Sequence, residues 1–218
     1  MRLHEIFKFI GFIFYSILQP DQVCSSTFCE VHLRCGKLCS YYLYLLMRLF
    51  FAIPIPDEHK TKLLAAFSSR NLYGIRFTIP EQLHITLHFL GATEKEKLSG
   101  IIHRTNEMAS TFHSFDIKFQ SFKVIQKQRN PVMIWAQMEQ SEAFEIFNIQ
   151  FREIFPTGEN KKPNPHVTIA RIKQIKQLPF ELPHLKPFSF KVGSVELWES
   201  ITHPDGAKYH LVEAWKLS

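Results

Sequence analysis

Hydrophobic positions along the chain recur at two periods, and the switches between them divide the sequence into strands and helices. Arg48 to Ile53 is a nearly continuous apolar run ended by Pro54 and Pro56, which predicts a buried first strand. Pro56-Asp57-Glu58 then marks a helix start with acidic residues in its first turn, and Leu63, Leu64 and Phe67 supply its apolar face. A turn at Tyr73-Gly74, a short run from Ile75 to Ile79 and a break at Pro80 come next. Leu83 to Leu90 alternates and predicts a strand that Gly91 closes. Within Glu94 to Met108, the residues Leu98, Ile101, Ile102, Thr105 and Met108 fall at helical spacing.

The second half repeats the mixture. Phe115 to Phe119 alternates cleanly, and Val132 to Met138 is a second strand. Ser141 is placed to cap a helix on which Phe144, Phe147, Phe151 and Ile154 recur three and four residues apart. Pro156-Thr157-Gly158 ends it, and a polar loop from Glu159 to Pro165 leads into the strand His166 to Arg171. Val195 to Ile201 and Lys208 to Trp215 read as a hairpin about Pro204-Asp205-Gly206. Helices and hairpins without a Gly-rich nucleotide loop predict an α+β fold with antiparallel sheets, not a doubly wound parallel one. There is also a coarse internal repeat: a loop, then a strand opening with His-x-Thr, occurs once in each half.

Composition changes this picture in three places. Phenylalanine is unusually frequent at 21 residues, and its placement in strand and helix patterns assigns it to the core. The net charge of +6 favours anionic partners, nucleic acid among them, without identifying one. All four cysteines, Cys24, Cys29, Cys35 and Cys39, precede Met47. The body after it has no disulfide framework and suits a reducing compartment, the cytoplasm. The cysteine spacings form no paired Cys-x-x-Cys knuckles, so with His32 they do not read as a zinc site.

Residues 1–46 stand apart from the rest. Arg2 and Lys8 accompany a short apolar stretch, Ile6 to Leu18, that superficially resembles a signal peptide. Lys8 interrupts it, it is too short for a bilayer span, and no Ala-x-Ala site follows. A targeting sequence, a peripheral membrane contact and sequence upstream of the functional start all compete. The last is preferred, because Met47 opens a fresh first strand; the catalytic domain is then 47–218.

The chemistry is carried by two motifs, Leu83-His84-Ile85-Thr86-Leu87-His88-Phe89-Leu90-Gly91 and Pro165-His166-Val167-Thr168-Ile169-Ala170-Arg171. On a strand His84 and Thr86 share one face, while Ile85, Leu87 and Phe89 turn into the core. His166 and Thr168 likewise share a face opposite Val167 and Ile169. Each motif sets a titratable base about 6–7 Å along the strand from a hydroxyl. In-line cleavage of a phosphodiester needs a base for the nucleophile and an acid for the leaving oxygen, and imidazole suits both. Threonine hydroxyls can hold the non-bridging oxygens as charge develops. A lone His-x-Thr occurs readily by chance; two copies in apolar strands of separate halves do not. His84 and His88 have the i, i+4 spacing of helical metal ligands, but on a strand they stand roughly 13 Å apart, which excludes a shared ion.

From Met47 to Ser218 the chain resembles the two-histidine (2H) phosphoesterase superfamily, in particular its RNA 2',3'-cyclic phosphodiesterase or 2'-5' RNA ligase branch. The matching pieces are Arg48 to Ile53, the two His-x-Thr motifs, and the ending Leu197-Trp198-Glu199-Ser200 with Gly206-Ala207-Lys208-Tyr209, all in the family's order. The resemblance implies a bilobal, pseudo-two-fold α+β fold with two antiparallel sheets around a central cleft and helices outside. It implies hydrolysis of an RNA 2',3'-cyclic phosphate end to a 2'-phosphate, with no metal or other cofactor. His84 would be the proton donor and His166 the acceptor, roles that geometry alone leaves open. Thr86 and Thr168 would bind the phosphate. One departure is Arg76-Phe77, where family members often carry Arg-Trp.

Supporting residues are less specific. Arg171 is equally suited to a phosphate oxygen or a surface carboxylate. Arg76 and Arg129 are candidate backbone contacts that also read as solvated charges, and the run Glu159 to Lys162 reads the same way. Tyr209 and Phe77 are candidates for base stacking, with core packing the better reading of Phe77. The expected partner is RNA bearing a cyclic phosphate end, met by a monomer with no stable protein partner. The competing readings are a phosphodiesterase of small cyclic nucleotides, an RNA-binding module with little activity, and reversible 2'-5' ligation by the same groups.

Overall fold

Alternation of valine, isoleucine and phenylalanine builds antiparallel strands, and helices cover what the strands leave apolar. The computed structural model describes residues 46–67, 73–158, 162–173, 175–204 and 206–218. The readings made of residues 1–45, of 159–161 and of Asp205 lie outside these. In chain order the described elements are β1 (Leu46–Pro54), α1 (Asp57–Ala65), β2 (Ile75–Phe77), β3 (His84–Glu94), α2 (Leu98–Ala109), β4 (Phe115–Lys127), β5 (Asn130–Met138), α3 (Glu142–Ile154), β6 (His166–Ile172), β7 (Ser189–Val192), β8 (Ser194–His203) and β9 (Gly206–Lys216). The short strand β7 adds to those expected; its four residues are too few for alternation to announce it. Among the described residues no helix is long and apolar enough to cross a membrane.

All recorded strand pairs are antiparallel. The order is β7-β4-β5-β6-β3-β1-β8-β9, with β2 added beside β6. The sheet consists of two halves, β7-β4-β5-β6 and β3-β1-β8-β9. They meet at β3 and β6, which share only the pair Ile85–Val167. Every other neighbouring pair runs for three or more registered positions, so β3 and β6 diverge on either side of this point. The expected bilobal α+β architecture with its cleft follows from that divergence, the two sheets being joined where the motif strands meet.

The core lies on the face away from the cleft. Phe51, Ile53, Ile85, Leu87, Phe119, Val167, Ile169 and Leu197 are buried in one cluster with Phe144, Phe147 and Phe151 of α3. Phe151 meets Phe51 at 4.4 Å between ring centroids and Phe147 at 5.1 Å. Ser141 caps α3 as expected, its hydroxyl accepting from the Phe144 amide at 3.2 Å.

Two expectations about β3 are corrected. Gly91 does not close the strand: β3 continues to Glu94, and Gly91 pairs with Leu49 at a positive φ of 73°. Phe89 is not in the core; it is 55% exposed, while His88 is buried. The cause is a bulge. Ala52 pairs with Thr86 and Phe51 with His88, so Leu87 is an extra residue and the alternation inverts after it. A pure period of two cannot register an inserted residue.

Phe151→Ala should cost about 3–5 kcal/mol, the range for removing a buried aromatic, and Ser141→Ala about 1 kcal/mol through loss of the cap. Urea unfolding midpoints check both; an unchanged midpoint for Phe151→Ala would contradict this account of the core.

Candidate active site

The single pair that joins the halves also assembles the two motifs. With Ile85 opposite Val167 in antiparallel register, His84 stands level with Thr168 and Thr86 level with His166. The four polar side chains share the face opposite the buried Ile85 and Val167. The histidines are then diagonal neighbours, roughly 7–8 Å apart at the backbone, each beside the other strand's threonine. This is a local two-fold arrangement about the Ile85–Val167 pair.

Each imidazole is fixed in the same way. His84 Nδ1 lies 2.7 Å from the Gln82 carbonyl, and His166 Nδ1 lies 2.8 Å from the Asn164 carbonyl. A carbonyl oxygen only accepts, so Nδ1 carries the hydrogen in both rings, and in the neutral ring Nε2 is the nitrogen with a lone pair to accept a proton. Gln82 closes a 3-10 turn begun by Pro80. On the other side, the Gln137 amide donates to Asn164 Oδ1 at 2.6 Å and to the Pro165 carbonyl at 3.0 Å, which holds the segment that positions His166.

Aromatic rings support both histidines. His166 stacks on Trp135 with centroids 3.6 Å apart and planes 17° from parallel. His84 sits within 5.3 Å of three rings: Trp198 at 4.9 Å, Phe50 at 5.1 Å and Tyr209 edge-on at 5.3 Å. Both rings are half-buried by these neighbours. Burial pushes His84 down from 6.5 to about 4, against the Gln82 carbonyl that raises it and with His166 and Arg171 lowering it further. Burial also lowers His166, which the Asn164 carbonyl partly offsets. Both shifts favour the neutral ring in the free protein.

The remaining sequence candidates separate clearly. Arg171 reaches the cleft face near His84, and its guanidinium contacts Met133 sulfur at 3.7 Å. Arg76 pairs with Arg171 across β2 and β6, so these two cations share a face. The Arg76 guanidinium lies so close over Gly206 that a Cβ there would overlap it. Tyr209 joins the ring cluster of His84, and Phe77 packs on Phe67 of the core at 5.5 Å, as preferred. Arg129 is not brought to the histidines. It occupies the tight β4–β5 turn at a positive φ of 66°, and lies eight residues before Gln137, the partner of His166, or roughly 26 Å along the strand. Lys162 pairs with Glu145 at 3.1 Å.

Sequence reading missed the residues that hold the site from behind. The Asn148 amide on α3 donates to the carbonyl of Leu87, the bulge residue. His88 Nε2 lies 2.7 Å from the Phe155 carbonyl just past α3. Helix α3 thus grips β3 at the bulge that follows the first motif. A buried asparagine on an otherwise phenylalanine-rich stripe was the only available sign.

Comparisons with known proteins identify the family and the fold. A protein-family model described as LigT like Phosphoesterase matches residues 53–135. An RNA 2',3'-cyclic phosphodiesterase of Archaeoglobus fulgidus is 30% identical over 132 residues, covering 59% of this chain and 74% of that one. The chain belongs to the LigT-like phosphoesterase family. The family member of the same name from Methanocaldococcus jannaschii is 28% identical over 177 residues, which cover 78% of this chain and all of that one. The crystal structure of TT0787 of Thermus thermophilus superposes with a TM-score of 0.66 at 25% identity, over 78% of this chain and 98% of that chain. All of these matches leave a part of this chain uncovered, and the covered part contains a LigT-like fold.

Asn148→Ala leaves the Leu87 carbonyl without its donor. It should cost about 1–3 kcal/mol of stability, and it should lower kcat more than it raises KM because the bulge orients the first motif. Steady-state kinetics beside a thermal melt check this. A loss confined to stability would make Asn148 a packing residue only.

Proposed function

We propose that this LigT-like phosphoesterase hydrolyses the 2',3'-cyclic phosphate of RNA ends to a 2'-phosphomonoester, as a metal-independent monomer in the cytoplasm. The observation that supports this reading is the Ile85–Val167 pair, whose register brings His84, His166, Thr86 and Thr168 to one face, with both Nδ1 atoms engaged by backbone carbonyls. The names of the relatives support the substrate class.

The reaction needs one proton taken and one given. His166 Nε2 accepts a proton from water as the water oxygen bonds to phosphorus. The bond from phosphorus to the ribose 3' oxygen breaks, and His84 Nε2–H protonates that oxygen. The 2' ester remains, and solvent exchange restores both rings. Thr86 and Thr168 bond the non-bridging oxygens, and Arg171, with Arg76 opposite it, offsets the phosphate charge. Family resemblance supports this assignment of donor and acceptor over its mirror image. If a 5'-hydroxyl of a second RNA replaces water, the same proton transfers yield a 2'-5' linkage.

Desolvation puts His84 mostly in its neutral form in the free protein, whereas the donor must be charged. The arriving phosphodiester anion supplies the compensating charge and raises the imidazole pKa. The pH dependence follows. Both free-enzyme values lie below 6.5, so kcat/KM should be a bell with both limbs below that pH. The bound phosphate stabilises imidazolium, so the alkaline limb of kcat should lie higher than that of kcat/KM. An alkaline limb of kcat/KM above pH 7 would contradict the desolvated cleft.

With an oligoribonucleotide ending in a 2',3'-cyclic phosphate, the expected product in EDTA is a terminal 2'-phosphate. His84→Ala and His166→Ala should each reduce kcat by roughly 10²–10⁴. Wild-type turnover in both variants, or a 3'-phosphate product, would overturn the reading.

A further inference from the structure

The two motif strands carry the same irregularity, and it delivers different side chains to the cleft. In β3, Leu87 is the extra residue: Leu87 and His88 turn inward, and Phe89 emerges on the face of His84. In β6, Trp135 pairs with Thr168 and Ile134 with Ala170, so Ile169 is the extra residue. Ile169 and Ala170 turn inward, and Arg171 emerges on the face of His166. Phe89 is therefore the counterpart of Arg171 under the local two-fold. The first half presents an exposed ring where the second presents a guanidinium.

Phe89 is joined to the site through one buried ring. It lies 5.7 Å from Phe50, and Phe50 lies 5.1 Å from His84, centroid to centroid. Register continues the row across the half, with Phe50 opposite Phe89 and Trp198, and Trp198 opposite Leu211. Phe50 and Trp198 are buried, whereas Phe89 is 55% exposed. Without the bulge this side chain would have been in the core. Instead, a large apolar ring remains open to solvent on the face that carries His84, with Arg171 and Arg76 at the corresponding place of the other half.

We propose that Phe89 is the stacking platform for the nucleobase of the nucleoside that bears the cyclic phosphate. This rests on the phosphodiesterase reading above and extends it to substrate orientation. The phosphate is held toward Arg171, and the nucleoside lies over the β3 half, its base on Phe89 and its ribose against His84. Both ester oxygens of a 2',3'-cyclic phosphate belong to that ribose. The leaving 3' oxygen therefore faces His84 and the attacking water enters beside His166. The platform breaks the near-symmetry of the two histidines and selects one as donor. Stacking on a single ring is tolerant of base identity, so the site accepts RNA ends of any sequence.

The test compares wild type, Phe89→Ala and Phe89→Trp on two substrates: adenosine 2',3'-cyclic phosphate and 1-O-methyl ribose 2',3'-cyclic phosphate, which lacks the base. Phe89→Ala should lose roughly tenfold or more in kcat/KM on the nucleotide and nothing on the base-less sugar. Phe89→Trp should keep nucleotide turnover within about twofold of wild type. Equal kcat/KM for wild type and Phe89→Ala on the nucleotide overturns the proposal, as does an equal loss on both substrates. If wild type turns over neither substrate, the phosphodiesterase reading fails separately. Binding of adenosine 2'-monophosphate against 1-O-methyl ribose 2-phosphate then decides the platform: a Phe89→Ala loss confined to the adenosine ligand upholds it, and no such difference overturns it.

Discussion

The pairing of Ile85 with Val167 is the contact on which the site depends. Among the described residues it is the one registered position between β3 and β6, where the two halves of the sheet meet. Both side chains are buried, so neither strand can slip by one residue without turning an apolar side chain to the cleft and a histidine to the core. That constraint fixes four polar side chains at once. It also explains why the halves stay joined yet open: hydrophobic burial holds the pair, and the strands share no other registered position around it.

Bulges modify this frame without disturbing it. One extra residue after each His-x-Thr reverses the facing of the residues beyond it, and so leaves Phe89 and Arg171 exposed on the histidine face and His88 and Ala170 buried. A bulge leaves backbone groups outside the ladder, and they need partners elsewhere. For β3 the partner comes from α3, through Asn148 to the Leu87 carbonyl. The helix whose phenylalanines fill the core therefore also sets the strand that carries His84.

The electrostatics follow from the same packing. Aromatic rings crowd His84 more than His166, and burial is the largest cause of the lowered pKa in both. Backbone carbonyls at Gln82 and Asn164 select the tautomer and direct Nε2 outward in each case. Both shifts favour neutral rings beside a guanidinium in the free site, which suits it to gain a proton together with an anion.

Much of this was legible in the amino-acid order. The strand and helix periods gave β1, the amphipathic α3 with its Ser141 cap, and the terminal hairpin, because burial of one face imposes a period that composition cannot hide. The two His-x-Thr motifs were legible for the same reason, each polar pair being read against an apolar partner face. What the sequence could not contain is any feature set by an inserted residue or a distant partner. The bulge at Leu87 has no signature in a period of two, so Phe89 read as core. Asn148 and Gln137 act on backbone carbonyls 61 and 28 residues away, at Leu87 and Pro165. Arg129 read as a candidate by its charge alone, and the length of β5 removes it from the histidines. Local alternation determined which residues share a face; only the tertiary pairing of β3 with β6, and the grip of α3 on its bulge, decided which faces meet.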